Sequence, residues 1–174
     1  GALPIKVGDE VIGGIGVGIN EADMCVKFAR AGDFDVTMMA GRYSLLVQTG
    51  LEEFLPLAVE KKIGVMLAGV YNSGILAVGA VPGARFDYAP ASPEIMERVR
   101  KIEAICTAHG TTIRKAALQF SMAHPAVVSV VLGGVTPAEV VANVADAAAT
   151  VPAGVWSDLK AAGLLNAAAP TPTK

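Results

Sequence analysis

Four side chains carry the thiol and imidazole groups of this 174-residue chain: Cys25, Cys106, His109 and His124. Neither cysteine belongs to a C-x-x-C pair or a Cys/His spacing, so redox exchange and zinc binding are not expected, and both read as reduced thiols within helical patterns. His124 lies in Ala123-His124-Pro125, just before an apolar run. His109 precedes Gly110 at the end of a helical pattern, where an imidazole complements the helix dipole. Both histidines read as structural. The glycines of Gly13-Gly14-Ile15-Gly16 lie inside a strand pattern rather than at its carboxyl end, so they do not form a Rossmann fingerprint. Close backbone approach is their expected meaning. The segment from Gly69 to Ser92, with turn signals at Asn72-Ser73-Gly74 and Pro82-Gly83, reads as a long loop over a site.

The elements that would position such a site alternate along the chain. Short β-branched runs near 11–19, 34–40, 63–68 and 127–132 read as buried strands. A helix follows Asn20-Glu21-Ala22-Asp23 and ends at Gly32, and another spans 51–62, with Pro56 in its first turns. Ser92-Pro93-Glu94 and Thr136-Pro137-Ala138-Glu139 each read as a cap followed by a proline at the first helical position. Further helices are expected near 112–124 and 155–165. Alternation of this kind argues for a parallel sheet with right-handed crossovers, in an open doubly wound sheet or in part of a barrel. Residues 166–174, rich in Ala, Pro and Thr, read as a flexible tail.

Composition sets further bounds. The chain is 53% hydrophobic but only 5% aromatic, the aliphatic mixture of strands buried on both faces, and its length asks for a single domain. Fourteen basic residues against 16 acidic ones, without a basic run, make nucleic acid and anionic membranes unlikely partners. No apolar run reaches the about 18 residues of a membrane span, and no signal-type segment opens the chain, so a cytoplasmic protein is expected.

One segment carries a resemblance. Ala123-His124-Pro125-Ala126-Val127-Val128-Ser129-Val130-Val131-Leu132-Gly133-Gly134, continuing through Pro137, Glu139 and Asn143, resembles the last strand and following helix of the aldo-keto reductases. Ile15-Gly16-Val17-Gly18-Ile19-Asn20 is similar to that family's fifth strand, and Tyr43-Ser44-Leu45-Leu46 to the segment after its sixth. Residues 1–10 match the helix before strand five only loosely. The resemblance implies an α/β fold: residues 1–165 as the C-terminal half, strands five to eight with their helices, of a TIM (β/α)8 barrel. A complete barrel needs about 250 residues. Strands five and eight would then both lack a neighbour. Gly41-Arg42-Tyr43-Ser44 and Tyr71-Asn72-Ser73-Gly74 are most similar to the branch containing L-fucose dehydrogenase, D-threo-aldose 1-dehydrogenase and pyridoxal 4-dehydrogenase, which oxidise a cyclic hemiacetal to a lactone.

The resemblance also implies a nicotinamide dinucleotide site. Asn20 would hold the carboxamide, or else satisfy its own turn. Gly69, Val70, Asn72 and Ser73 would bring backbone N–H groups to the pyrophosphate. Gly133, Gly134, Val135 and Thr136, after the last strand, would belong to the same cofactor site, with Gly133 and Gly134 where NADP-preferring members carry a basic residue and a hydroxyl, and with Asn143 at the adenine or on a solvated helix face. Glu139 stands where NADP-preferring members carry an arginine, which implies NAD rather than NADP; alternatively it complements the helix dipole. Ala40 replaces a family glutamine near the nicotinamide. The family's catalytic Asp, Tyr, Lys and His come from strands one to four, so no catalytic residue and no metal ligand is assigned here, and the chain alone is expected to be inactive. The resemblance implies a small sugar or pyridoxal-like substrate, with the missing N-terminal half or a second copy covering the open strand edges. A non-catalytic dinucleotide-binding or self-associating half-barrel is the alternative.

Overall fold

The computed structural model describes residues 3–7 and 10–173, with side chains described from Gly16 onward. The four apolar runs form β2 (Glu10–Ile19), β3 (Val36–Ala40), β4 (Gly64–Ala68) and β7 (Val127–Val131). They pair in parallel and in chain order, β2-β3-β4-β7. The order runs one way across the sheet, as in successive units of a barrel, without the reversal that marks a doubly wound sheet.

The expectation that both outer strands lack a neighbour is corrected on one side. β1 (Leu3–Val7) pairs antiparallel with β2, from Leu3 opposite Ile15 to Val7 opposite Glu10. Residues 3–7, loosely matched to a helix, are therefore extended. Two residues separate the strands, and an antiparallel neighbour needs no longer connection than that. The other edge, β7, has β4 as its partner in the sheet.

Thr37 and Met39 of β3 and Val65 and Leu67 of β4 are buried. They belong with a helix layer whose core includes Leu55, Ile102, Phe120, Trp156 and Leu159. The alternate residues Val36, Met38 and Met66 are only half-buried. Gly16 bears out the close-approach reading: a Cβ there would run into the Val36 carbonyl of the neighbouring strand.

The helices are α1 (Ala22–Ala31), α2 (Phe54–Lys61), α3 (Ile75–Val78), α4 (Pro93–Ala108), α5 (Ile113–Met122), α6 (Pro137–Ala147) and α7 (Ala153–Ala161). The caps read from sequence are formed: Ser92 accepts from Ile95 N at 3.3 Å and Thr136 from Glu139 N at 3.3 Å, each with a proline opening the helix. The expected 51–62 helix is split, a 3-10 turn at Thr49–Leu51 preceding α2.

The long loop after β4 holds α3 and a small hairpin, β5 (Arg85–Phe86) with β6 (Ala89–Pro90). Asp87 and Tyr88 turn it with φ of 46° and 65°. Such a turn usually carries Asn-Gly or Asp-Gly, so Asp-Tyr gave no sequence cue. The tail is also held more closely than its composition implied. Asn166 N donates to Gln48 Oε1 at 2.9 Å, Lys160 Nζ to the Ala169 carbonyl at 2.8 Å, and Ala169 is buried. Among the described residues no helix is long and apolar enough to cross a membrane, and no group of three or more His, Cys, Asp or Glu side chains is arranged to hold a metal.

Candidate functional site

β4 is followed directly by Gly69, and β7 by Leu132 and then Gly133, and the chain turns sharply after β4. Gly69 and Gly74 take φ of 65° and 96°, and between them Asn72 and Ser73 take 45° and 59°. A non-glycine residue in this region is uncommon, and asparagine tolerates it best. Two contacts fix the turn. Ser44 Oγ donates to Asn72 Oδ1 at 2.5 Å, and Ser73 Oγ accepts from Tyr88 N at 2.9 Å, which fastens the β5–β6 hairpin to the turn. Among the described residues the backbone N–H groups of Val70, Tyr71 and Ser73 make no hydrogen bond. Three unspent donors in one tight turn are what an anionic group needs.

This turn forms one wall of a cleft of about 480 Å³, and Val131, Leu132, Gly133, Glu139 and Asn143 form the facing wall. A second hollow of about 340 Å³ adjoins it across Gly69, Asn72, Ser73 and Tyr88, and includes Asn20, Ala40, Arg42 and Asp87. Of the residues singled out from sequence, Gly69, Val70, Asn72, Ser73, Gly133, Glu139 and Asn143 therefore line one cleft, and Asn20 lines the hollow beside it. Gly134, Val135 and Thr136 line neither. They lead into α6, where Val135 is 93% exposed and Thr136 serves as the cap.

Several predicted contacts are already spent within the protein. Asn72 is buried with its carbonyl oxygen engaged by Ser44, so that oxygen is committed within the protein although the residue lines the cleft. Glu139 Oε2 accepts from Val135 N at 2.9 Å, a self-capping contact at the start of α6, while its side chain still borders the cleft.

Arg114 and two tyrosines, Tyr71 and Tyr88, also line the cleft and were not singled out from sequence. Arg114 is the second residue of α5, and its Nη2 donates to Asn143 Oδ1 at 2.8 Å. Its Nε lies 3.0 Å from Asp146 Oδ2, close enough for an ion pair although not aligned for a hydrogen bond. A cation in the first turn of a helix opposes the dipole, and that misfit was the available cue that Arg114 is paired elsewhere. Burial pushes the Tyr71 hydroxyl up, against the opposing pull of Arg114's bond and charge. An Arg42–Asp87 pair at 3.4 Å spans the second hollow, too exposed to contribute much stability.

The histidines lie away from both hollows. His109 Nε2 sits 2.7 Å from Asp158 Oδ2 at the end of α4, and buried His124 accepts from Ala126 N at 3.2 Å and packs edge-on against Tyr43.

Residues 11–163 match the model of the Aldo/keto reductase family. The chain belongs to that family. Pyridoxal 4-dehydrogenase of Microbacterium luteolum is 37% identical over 155 residues, which is 89% of this chain and 45% of that protein. D-threo-aldose 1-dehydrogenase of a Pseudomonas species is 38% identical over 163 residues, 93% of this chain and 48% of its own. The aldo/keto reductase chain described here thus spans about half the length of the curated relatives it matches. Among solved structures, the apo form of aldo-keto reductase AKR11C1 from Bacillus halodurans superposes with a TM-score of 0.65 at 23% identity, over 87% of this chain and 50% of that one. The glycerol dehydrogenase AKR11B4 of Gluconobacter oxydans gives 0.63 at 16% identity, over 91% of this chain and 50% of its own. These likenesses show an α/β fold shared with aldo-keto reductases.

Proposed function

We propose that this chain supplies the cofactor-binding half of a cytoplasmic aldose- or pyridoxal-dehydrogenase type oxidoreductase, strands five to eight of a (β/α)8 barrel. The observation that carries the reading is the gathering of Gly69, Val70, Asn72, Ser73, Gly133, Glu139 and Asn143 around one cleft at the carboxyl ends of β4 and β7. Carboxyl ends of barrel strands are where this architecture places its chemistry, with a phosphate site in the last two loops. The residues present fit a dinucleotide. The Gly69–Gly74 turn offers unspent N–H donors for the pyrophosphate, the cleft lies within the about 300–1,000 Å³ of small-molecule sites, and Asn143 stands at its far side. Asn20 would hold the carboxamide in the second hollow.

A bound nicotinamide would supply the acceptor for hydride leaving the substrate's hemiacetal carbon. This chain's part is to bind and orient, and Glu139 disfavours a 2′-phosphate, so NAD is preferred over NADP. Proton removal from the substrate falls to residues of strands one to four, outside these 174 residues, and the chain alone does not turn over. The names of the two relatives point to a small sugar or a pyridoxal-like substrate.

A second reading, a self-associating half-barrel without catalysis, is favoured by the exposed valines of β7 and α6. Light scattering of the pure chain, followed by fluorescence titration with NADH and NADPH and an assay with L-fucose and NAD, tests both. Saturable NADH binding without turnover supports the proposal. A discrete oligomer that binds neither cofactor supports the second reading, and turnover by the pure chain refutes the division of labour.

A further inference from the structure

Asn143 is almost fully buried at 8% exposure, yet it borders the cleft, and its neighbours dictate which way its amide points. Arg114 Nη2 lies 2.8 Å from one end of the amide and the Gly133 carbonyl 3.3 Å from the other. A guanidinium can only donate and a carbonyl can only accept. The end facing Arg114 must therefore be the oxygen and the end facing Gly133 the nitrogen. Tyr71 OH adds a long contact of 3.5 Å to the same oxygen. An amide oxygen has two lone pairs and an amide nitrogen two hydrogens. Both lone pairs of Asn143 Oδ1 are addressed from within the protein, whereas Nδ2 uses one hydrogen and keeps one.

We infer that Arg114 is a positioning residue that locks Asn143 as a pure donor, so the base of the cofactor is read through a ring nitrogen and not through its 6-amino group. The inference rests on the cofactor reading above and goes beyond it. A free asparagine at an adenine can use both ends, accepting from the 6-amino group and donating to a ring nitrogen. Here the accepting end is occupied. Asp146, 3.0 Å from Arg114 Nε and itself buried, holds the guanidinium in place from the other side. The lock thus consists of one helix-start cation on α5 and two residues one turn apart on α6.

The test compares NAD with its purine analogue, in which hydrogen replaces the 6-amino group and all ring nitrogens remain, by titration calorimetry on the full chain. For the unaltered chain the two dissociation constants should agree within about twofold, since no hydrogen bond distinguishes them. Arg114→Met releases Oδ1 and should create a preference for NAD of about fivefold, the worth of one ordinary hydrogen bond. Arg114→Lys restores a donor and should return the ratio toward one. A merely structural role for Arg114 would weaken both ligands and leave the ratio unchanged. Should Arg114→Met fail to fold, Asn143→Asp, which keeps a partner for Arg114 but removes the N–H donor, should weaken both dinucleotides equally by about fivefold or more.

An intrinsic preference of the unaltered chain for NAD over the purine analogue of fivefold or more overturns the inference, as does an unchanged ratio in Arg114→Met. If the unaltered chain binds neither dinucleotide, the cofactor reading fails and the inference with it. If it binds both and only the variant ratios disagree, the inference alone fails.

Discussion

Removing the Ser44 hydroxyl should loosen the wall of the cleft at a cost that the surrounding contacts set. Ser44 is fully buried, and its Oγ serves three partners: it donates to Asn72 Oδ1 at 2.5 Å and accepts from Leu46 N at 3.2 Å and Val47 N at 3.1 Å. In Ser44→Ala the Asn72 amide loses its only partnered atom, because its Nδ2 already has none among the described residues. Val47 is half-buried and can recover water, but Asn72 and Leu46 cannot. Two buried groups left unpaired, each toward the lower part of about 1–3 kcal/mol, together with the small further loss at Val47, give roughly 3 kcal/mol of destabilisation. With a urea m-value of about 2 kcal/mol/M, the midpoint should fall by about 1.5 M at constant m. Urea unfolding followed by circular dichroism measures it, and a cycle with Asn72→Ala isolates the pair. If the Ser44–Asn72 bond carries the effect, the two substitutions are coupled by about 1 kcal/mol or more. NADH affinity should drop in parallel, since Asn72 holds the turn in its left-handed conformation. A midpoint shift under about 0.3 M, or strict additivity, would refute the reasoning.

Tyr43 is buried with a hydroxyl that has no partner among the described residues, so Tyr43→Phe should be neutral or stabilising by up to about 1 kcal/mol in the same urea assay. Burial lowers the His124 pKa below its ordinary 6.5, so the unfolded chain takes up that proton first. Its contribution to stability is therefore complete above pH 6.5 and is lost as pH falls from there through the folded value. Urea midpoints at about pH 7.5 and about pH 5.5 should differ less in His124→Asn than in the unaltered chain. Burial, assisted at Cys25 by the Glu21 and Asp23 carboxylates, pushes both the Cys25 and Cys106 thiols up to about 11. A thiol reagent at neutral pH should therefore leave the native chain unlabelled and label both cysteines once urea unfolds it.

The parts of the fold legible in the sequence are those that one element writes by itself. β3, β4 and β7 are short, largely apolar runs bounded by turn residues, and Ser92-Pro93 and Thr136-Pro137 announce α4 and α6 through local capping chemistry. What escaped depends on a second segment. β1 is a strand because β2 lies beside it, and the Asp87-Tyr88 turn is held by Ser73 from fourteen and fifteen residues away in sequence. The tail is pinned by Gln48, which no local pattern couples to Asn166. The site divides in the same way. The glycines after β4 and β7 could be read directly, whereas the contacts of Asn72 and Asn143 depend on Ser44 and Arg114, partners 28 and 29 residues distant.

The two edges of the sheet are treated differently, and the difference bears on which edge is open to a partner. β1 covers the free side of β2 with an antiparallel strand, whereas among the described residues β7 pairs with β4 alone. Beyond β7 lie Val128 and Val131 on the strand, 63% and 40% exposed, and Val140, Val141 and Val144 on α6, at 52%, 69% and 67%. Single exposed valines are ordinary, but these form a stripe on a helix beside an unpaired strand edge, the combination that marks an interaction surface. Positions 140, 141 and 144 fall on one helical face, as a helix built to pack against another helix requires. The complement of a bare parallel edge with an apolar helix beside it is another strand with its own helix, which is the repeating unit of this fold.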